Sequence, residues 1–353
     1  MTRLVLLGGG HAHVLVLLSL ANFISKNLHV KLVTPDPFHT YSGMVPGVVA
    51  GHYKIPKAQI DLERLAERAA VDLVLDAVRS LDADEKRVHL ESGASIEYDL
   101  ASLNLGSLPL ATVPGSSRYA LGVKPFEAFM QAWESHGLAA RRIAVAGGGA
   151  AGVEMAMAIR HRLPAAAVVL YSDRAMFSGA LAERIGRALT RCGVELRSGT
   201  PVAAVEAGPV VVAQGEREAF DLVLWTAGAA AVPWLRQSGL QTDEAGFVLV
   251  DQALRSVSHP EVFAAGDCAT LRDARHPKSG VYAVRHAPVL LENLRNTVEG
   301  KTLQTYHPQA RQLALLSCGG KYAIASRGGW SAEGAWAWRW KDWLDRRWIA
   351  RFR

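Results

Sequence analysis

Two glycine-rich turns stand 139 positions apart in the chain, Gly8-Gly9-Gly10-His11-Ala12-His13 and Gly147-Gly148-Gly149-Ala150-Ala151-Gly152. Each follows a short apolar run and opens an apolar, helix-compatible one. Leu4-Val5-Leu6-Leu7 and Ile143-Ala144-Val145-Ala146 have the unbroken apolar character of parallel strands buried on both faces. Glycine in such a turn lets the backbone approach a pyrophosphate, and the following helix points unpaired N–H groups at the anion. One such turn is a weak signal, because any tight strand-to-helix turn favours glycine. Two in matching context within 353 residues predict a chain that binds two dinucleotides, for which a flavin and a nicotinamide nucleotide are the natural pair.

The two copies differ. In the second, Gly147, Gly149 and Gly152 complete the fingerprint and Glu154 follows two positions later. In the first, Gly8 and Gly10 are present, but His13 stands where a third glycine normally lets helix and strand pack closely. His11 and His13 have two readings: donors to the pyrophosphate, or helix-start residues packed under the domain that this turn opens. The acid expected about 20 residues after each fingerprint, on the adenosine ribose, is absent from both strand ends. Thr34 and Ser172 occupy those places, with Asp36 and Asp173 just beyond. Ser172 followed by Arg174 suits a 2′-phosphate better than a bare ribose, which favours NADPH over NADH.

At 353 residues and 50% hydrophobic, the chain is long enough for two or three domains with proper cores. Cys192, Cys268 and Cys318 are far apart in sequence and form no C-x-x-C pair. That spacing excludes a local redox disulfide and offers no metal site, so the cysteines read as small buried apolar residues. The N-terminal apolar run is broken by the first glycine turn and carries no cleavage pattern, so no signal peptide is expected. Val14 to Ile24 is too short to span a bilayer. A cytoplasmic protein is the expectation.

Net charge is +6, from 39 basic and 33 acidic residues, and the excess concentrates at the end of the chain. Residues 334–353 hold six basic residues, two acidic ones and five of the nine tryptophans. As a helix, Trp336, Trp340, Trp343, Leu344, Trp348 and Phe352 fall along one apolar stripe, while Arg339, Asp342 and Arg346 lie elsewhere. Aromatic rings opposite cations suit an in-plane helix on the inner face of a membrane with anionic lipids. The alternative is a terminal helix docked on its own core or on a second copy in a homodimer, and Trp338, off the stripe, points to contact from two sides. Nucleic acid is not expected.

Between these landmarks, Val30 to Val33, Val71 to Val78, Arg87 to Leu90 and Ile96 to Tyr98 read as strands and Gln59 to Ala70 as a helix. A second strand–helix–strand unit begins near Arg141, with Val168 to Tyr171 as its second strand. Leu313 to Ser317 and Tyr322 to Ser326 flank Cys318-Gly319-Gly320-Lys321 as a hairpin.

Five motifs in fixed order carry a family resemblance: the two glycine turns, Asn104-Leu105-Gly106-Ser107, Trp225-Thr226-Ala227-Gly228, and Glu261-Val262-Phe263-Ala264-Ala265-Gly266-Asp267. The chain resembles the two-dinucleotide-binding flavoproteins of the pyridine nucleotide-disulfide oxidoreductase superfamily. Within it, the similarity is to the branch without a redox disulfide, which includes type II NADH dehydrogenases and sulfide:quinone oxidoreductases. Tyr41 to Gly47, Pro277 to Arg285 and Trp338-Arg339-Trp340-Lys341-Asp342 also resemble the oxidoreductase module fused to selenide, water dikinase in some bacteria.

The resemblance implies an α/β fold with two Rossmann-like domains. A discontinuous FAD-binding domain would span residues 1–115 and 245–304, an NAD(P)H-binding domain 116–244, and a C-terminal cap of hairpin and amphipathic helix 305–353. It implies FAD and NAD(P)H as cofactors, with Gly106, Gly228 and Gly266 at the cofactors and Asp267 on the ribityl-phosphate side of the flavin. Glu154 is expected to orient the nicotinamide side, against the plainer reading of a helix-surface carboxylate favoured by the helix dipole. Lys278 is expected to stabilise reduced flavin as an anion, against that of a solvated loop lysine. The electron acceptor would be a quinone or another small molecule. Where the type II NADH dehydrogenases place glutamines, this chain has Val281, Tyr282, Arg285 and His286; Arg285 and His286 suit an anionic or thiol-like acceptor instead, against the plainer reading of helix residues contacting carboxylates of the flavin domain. A soluble reductase of a sulfur or selenium species or of a protein partner, and a flavin-binding redox sensor, are the alternative readings.

Overall fold

The computed structural model describes residues 1–20, 28–175, 177–274, 276–309 and 311–353. Two five-stranded parallel sheets organise it. In the first, β1 (Thr2–Leu7) is flanked by β2 (Leu28–Thr34) and β3 (Asp72–Leu75) on one side and by β4 (Leu100–Leu103) on the other. In the second, β6 (Arg142–Ala146) is flanked by β7 (Ala167–Ser172) and β8 (Val194–Ser198), and by β9 (Leu222–Trp225) with β5 (Leu121–Gly122) at the edge. The outer strand beside β4 is β10 (Val262–Ala264), so the first sheet closes with a strand from far downstream while the second is built wholly from residues 121–225.

The apolar runs noted in the sequence are the central strands. Leu4 to Leu7 and Ile143 to Ala146 are at most 2% exposed, because both faces of each sheet are covered: in the second, Ile143 and Val145 pack with the helix residues Val153, Ala156 and Ile159, while Ala144 and Ala146 pack with Val205, Val211 and Ala213 of a three-stranded antiparallel sheet. From β1 the chain enters α1 (His11–Leu20), which packs on α4 (Gly280–Glu299); from β6 it enters α2 (Ala150–Arg162), and α3 (Gly179–Cys192) follows β7. Of the apolar segment Val14 to Ile24, positions 21–24 lie outside the described residues.

The predicted helix over Gln59 to Ala70 begins later. Gln59–Asp61 pairs antiparallel with Phe38–Thr40, and Asp61 then accepts from the Arg64 N–H at 2.9 Å to cap a helix over Leu62–Arg68. The hairpin β11 (Leu313–Ser317) and β12 (Ala323–Arg327) forms as expected, and Trp330–Gly334 adds a third strand, β13, against β12.

The last helix, α5 (Ala335–Ala350), follows at once. Leu316, Cys318 and Ile324 of the hairpin join the core of the second sheet, whereas Ile349 and Phe352 join that of the first. Arg184 of α3 adds an ion pair to Glu333 at 3.1 Å. The C-terminal segment thus straddles the two nucleotide-binding units.

Candidate active site

The first cradle is built around Asn104. Its Oδ1 accepts from the N–H groups of Ala12 (2.9 Å) and His13 (3.2 Å), while its Nδ2 donates to the Ala265 carbonyl at 2.7 Å. One amide therefore caps α1 and joins the ends of β4 and β10. Gly8 has φ +92°, and a Cβ there would stand 2.6 Å from the Asn104 carbonyl oxygen. Only glycine permits that approach. A Cβ on Gly10 would likewise meet the Asn104 side chain.

His13 is fully buried, with Nδ1 2.7 Å from the Gly8 carbonyl oxygen and Nε2 2.8 Å from Ser102 Oγ. Both ring nitrogens are taken by the protein, and the ring pins the turn to β4. In the second cradle a Cβ on Gly152 would collide with the Gly147 carbonyl, the close packing a third glycine serves. The first cradle thus does with a buried imidazole what the second does with contact.

The two turns share a further device. The N–H of Gly8 donates to Val33 and that of Gly147 to Tyr171, each the last residue but one of the adjoining strand. The hydroxyls that stand in the acid's place are folded back in both copies: Thr34 Oγ1 donates to the Asp36 carbonyl at 3.3 Å and Ser172 Oγ to the Arg174 carbonyl at 2.5 Å. Both lie under the middle glycine of their turn, where a Cβ on Gly9 or Gly148 would meet them. Burial pushes the Asp36 carboxyl above its usual range. Asp173 and Arg174 are exposed, with 4.0 Å between their charged atoms.

Asp267 follows Gly266, whose N–H donates to Nδ1 of the buried His286 at 3.0 Å. Its Oδ2 receives the Lys124 ammonium at 2.9 Å and the Ser107 hydroxyl at 3.1 Å. Its Oδ1 is buried with no hydrogen-bond partner among the described residues. Gly106 and Gly228 end their strands' C-terminal loops in the left-handed region. The Lys278 ammonium donates to the Ala269 carbonyl (2.5 Å) and Thr270 Oγ1 (2.8 Å) and lies 4.0 Å from the Phe247 ring centre; burial lowers its pKa.

A second polar group gathers where the two units meet α5. Glu154, half-buried on α2, accepts from the Ser317 N–H at 2.8 Å. Burial pushes its carboxyl up to about 7, against the pull of the Lys341 ammonium and that N–H. Lys341 donates to the Gly43 carbonyl (2.6 Å) and to Asp345 (2.8 Å). Burial alone would lower Lys341, but Asp345 and Glu154 outweigh it and raise it; burial raises Asp345 in spite of Lys341. Gly43, Tyr53, Ser317, Trp338, Lys341 and Asp345 line a cavity of about 10 Å³, room for one water.

Beside this group the rings of Tyr41 and Trp348 stack at 4.2 Å, and His11 lies 5.7 Å from both and 4.5 Å from His39. His11 Nε2 is 3.3 Å from Ser42 Oγ. Burial, with the Lys124 charge, holds the His11 ring neutral, at about 4.

Folding also gathers residues that sequence left apart. Lys124 lies in no motif, and only the return of the chain from β4 into the second unit brings it to Asp267. Tyr41 and Lys341 lie in separate stretches that carry the resemblance and Asp345 in the tryptophan-rich tail, and only folding brings the three together. Cys192 Sγ comes within 3.4 Å of the Cys318 carbonyl oxygen. All three thiols are pushed up by burial, Cys268 to about 11 and Cys318 to about 12, so none is poised as a nucleophile.

The residues present fit two dinucleotides. In each unit a Cβ would fill a glycine cradle at the start of a helix, and in the first the bare Oδ1 of Asp267 waits for a donor such as a ribityl hydroxyl. This fold and these paired cradles define an FAD-dependent NAD(P)H oxidoreductase. The family model for pyridine nucleotide-disulphide oxidoreductases matches residues 2–287, and the chain belongs to that family. It is 31% identical over 302 residues to an NADH dehydrogenase-like protein of Mycobacterium tuberculosis, covering 77% of this chain and 74% of the relative. It is 28% identical over 278 residues to the demethylphylloquinone reductase NdbB of Synechocystis, covering 72% and 69%. The sulfide:quinone oxidoreductase of Aquifex aeolicus has the same fold, with a TM-score of 0.83 at 15% identity over 100% of this chain and 92% of that one.

Proposed function

We propose that the protein takes a hydride from NAD(P)H and passes the two electrons to a quinone that enters beneath the C-terminal helix, while the outer face of that helix rests on an anionic membrane. One observation carries this reading. α5 places Trp348 on Tyr41 beside the flavin cradle, and on its other side leaves Trp336, Trp340 and Trp343 42%, 38% and 52% exposed. Exposed Arg339, Arg346 and Arg347 surround those indoles. Rings at headgroup level with cations around them suit a membrane surface. Among the described residues no helix is long and apolar enough to cross a membrane.

FAD, when bound, supplies the hydride acceptance and electron release. The residues of the chain position it and manage protons. Gly8, Gly10 and the start of α1 hold the pyrophosphate, Asp267 the ribityl chain, and Gly147, Gly149 and Gly152 the second pyrophosphate. Ser172 and Arg174 leave space and charge for a 2′-phosphate, which favours NADPH. The overall change is NAD(P)H + H⁺ + quinone → NAD(P)⁺ + quinol, so the acceptor takes up two protons for two electrons. Glu154, neutral up to about pH 7 and grouped with Lys341, Asp345 and Tyr41, serves as the proton donor on the acceptor side.

The test is turnover of the FAD-loaded protein with a short-chain benzoquinone in the absence of oxygen, with NADPH and NADH compared at equal concentration. One quinol formed per nucleotide oxidised, with NADPH the better donor, is the expected result. A quinone that stays oxidised while the nucleotide is consumed by another acceptor would overturn the reading.

A further inference from the structure

The Asp267 carboxylate is asymmetric in its surroundings. Oδ2 holds two donors, the Lys124 ammonium and the Ser107 hydroxyl, and Oδ1 holds none among the described residues although it is buried. The side chain is 9% exposed, so leaving Oδ1 bare is costly until a donor arrives. Two donors fixed on one oxygen also fix the rotation of the carboxylate and hence the direction in which the other faces. Ser107 belongs to the same motif as Asn104 and comes from the first unit. Lys124 comes from the chain entering the second, next to β5 (Leu121–Gly122), 143 positions from Asp267 in sequence. Its charge also reaches His11 at the opening of α1. One ammonium supplied by the nicotinamide-binding unit therefore bears on both ends of the flavin cradle.

We propose that Lys124 is a positioning residue for the flavin: by clamping Oδ2 of Asp267 it aims Oδ1 at the ribityl chain, so the grip on FAD, bound in the first unit, depends on a cation delivered by the second. The inference rests on Asp267 being the ribityl acceptor, and the experiment separates the two. Lysine acts here through Asp267, in the way that an outer partner orients a metal ligand, and losing such a partner weakens ligand binding about tenfold to a hundredfold. Arginine keeps the charge and a donor within reach.

FAD is titrated into the apoprotein and followed by quenching of tryptophan fluorescence, for the unchanged chain and for K124M, K124Q, K124R, D267N and the double variant K124M/D267N. Far-ultraviolet circular dichroism of each apoprotein establishes that it is folded, and K124Q stands in if K124M is not. The expected result is a dissociation constant raised about tenfold or more in K124M and K124Q, and within about threefold of the unchanged chain in K124R. The double variant binds no more weakly than D267N alone, because the lysine has nothing left to orient. If D267N binds FAD as tightly as the unchanged chain, the ribityl reading of Asp267 fails. If D267N is weakened while K124M and K124Q are not, or if the losses from K124M and D267N add in full, the role assigned to Lys124 is overturned.

Discussion

At the scale of single residues, the two imidazoles of the first turn set an acid limit on the fold. Burial holds His11 and His13 at about 4 in the folded protein, with the bond to Gly8 pulling His13 slightly the other way. In the unfolded chain they titrate near 6.5. Their folded values are depressed, so the stability they contribute is present above about pH 6.5 and is lost as the pH falls toward 4. H13A removes the ring from the half-buried Gly8 carbonyl and leaves the buried Ser102 hydroxyl without its imidazole partner. It should cost about 1–3 kcal/mol, read as a lower melting temperature at pH 7, and should flatten the fall in melting temperature between pH 6.5 and 4. An unchanged acid profile would contradict the buried, neutral imidazole. Glu154 has the opposite sign: its folded pKa is raised to about 7, so it carries a proton below that and loses it above. Quinone-dependent turnover should therefore fall as the pH rises through 7, and E154Q should lose that limb and turn over at least about tenfold more slowly. Persistence of the limb in E154Q would remove the carboxyl from proton delivery.

At the scale of elements, α5 shows what periodicity reveals and what it hides. The stripe Trp336, Trp340, Trp343, Leu344, Trp348 and Phe352 is real as a pattern, but the fold divides it. Trp336, Trp340 and Trp343 face outward, while Phe352 is buried and Trp348 lies on Tyr41. The docking face runs through Ala337, Lys341, Asp345 and Ile349, of which two are charged. A wheel of hydrophobicity cannot place Lys341 and Asp345 inside, because only their pairing with each other, with Glu154 nearby, makes burial tolerable. The glycine turns, by contrast, were legible because strand, turn and helix start are contiguous in sequence. Replacing Trp336, Trp340 and Trp343 together by serine should leave melting temperature and FAD content within error and weaken co-sedimentation with anionic vesicles about tenfold or more. Undiminished binding would place the membrane contact elsewhere.

At the scale of the whole molecule, the sequence displays two nucleotide-binding units, and the structure shows which side chains, far apart in sequence, join them. The local signals, glycines and apolar strands, could be read directly. The long-range ones could not: Lys124 on Asp267, Glu154 against Ser317, and a C-terminal segment whose hairpin enters one core and whose helix enters the other. The hydrogen bonds among them join residues more than 140 positions apart, and the partners Lys124 and Ser317 belong to no motif. The proposed function has both cradles serving a single electron path from NAD(P)H through FAD to a quinone. It is tested most directly by mixing the FAD-loaded protein with NADPH under anaerobic conditions, and then with a short-chain benzoquinone, while following flavin absorbance. Rapid bleaching with one nucleotide per flavin is expected, followed by full return of colour as the quinone is reduced. A flavin that neither nucleotide bleaches, or one that bleaches and stays bleached in the presence of quinone, would contradict it.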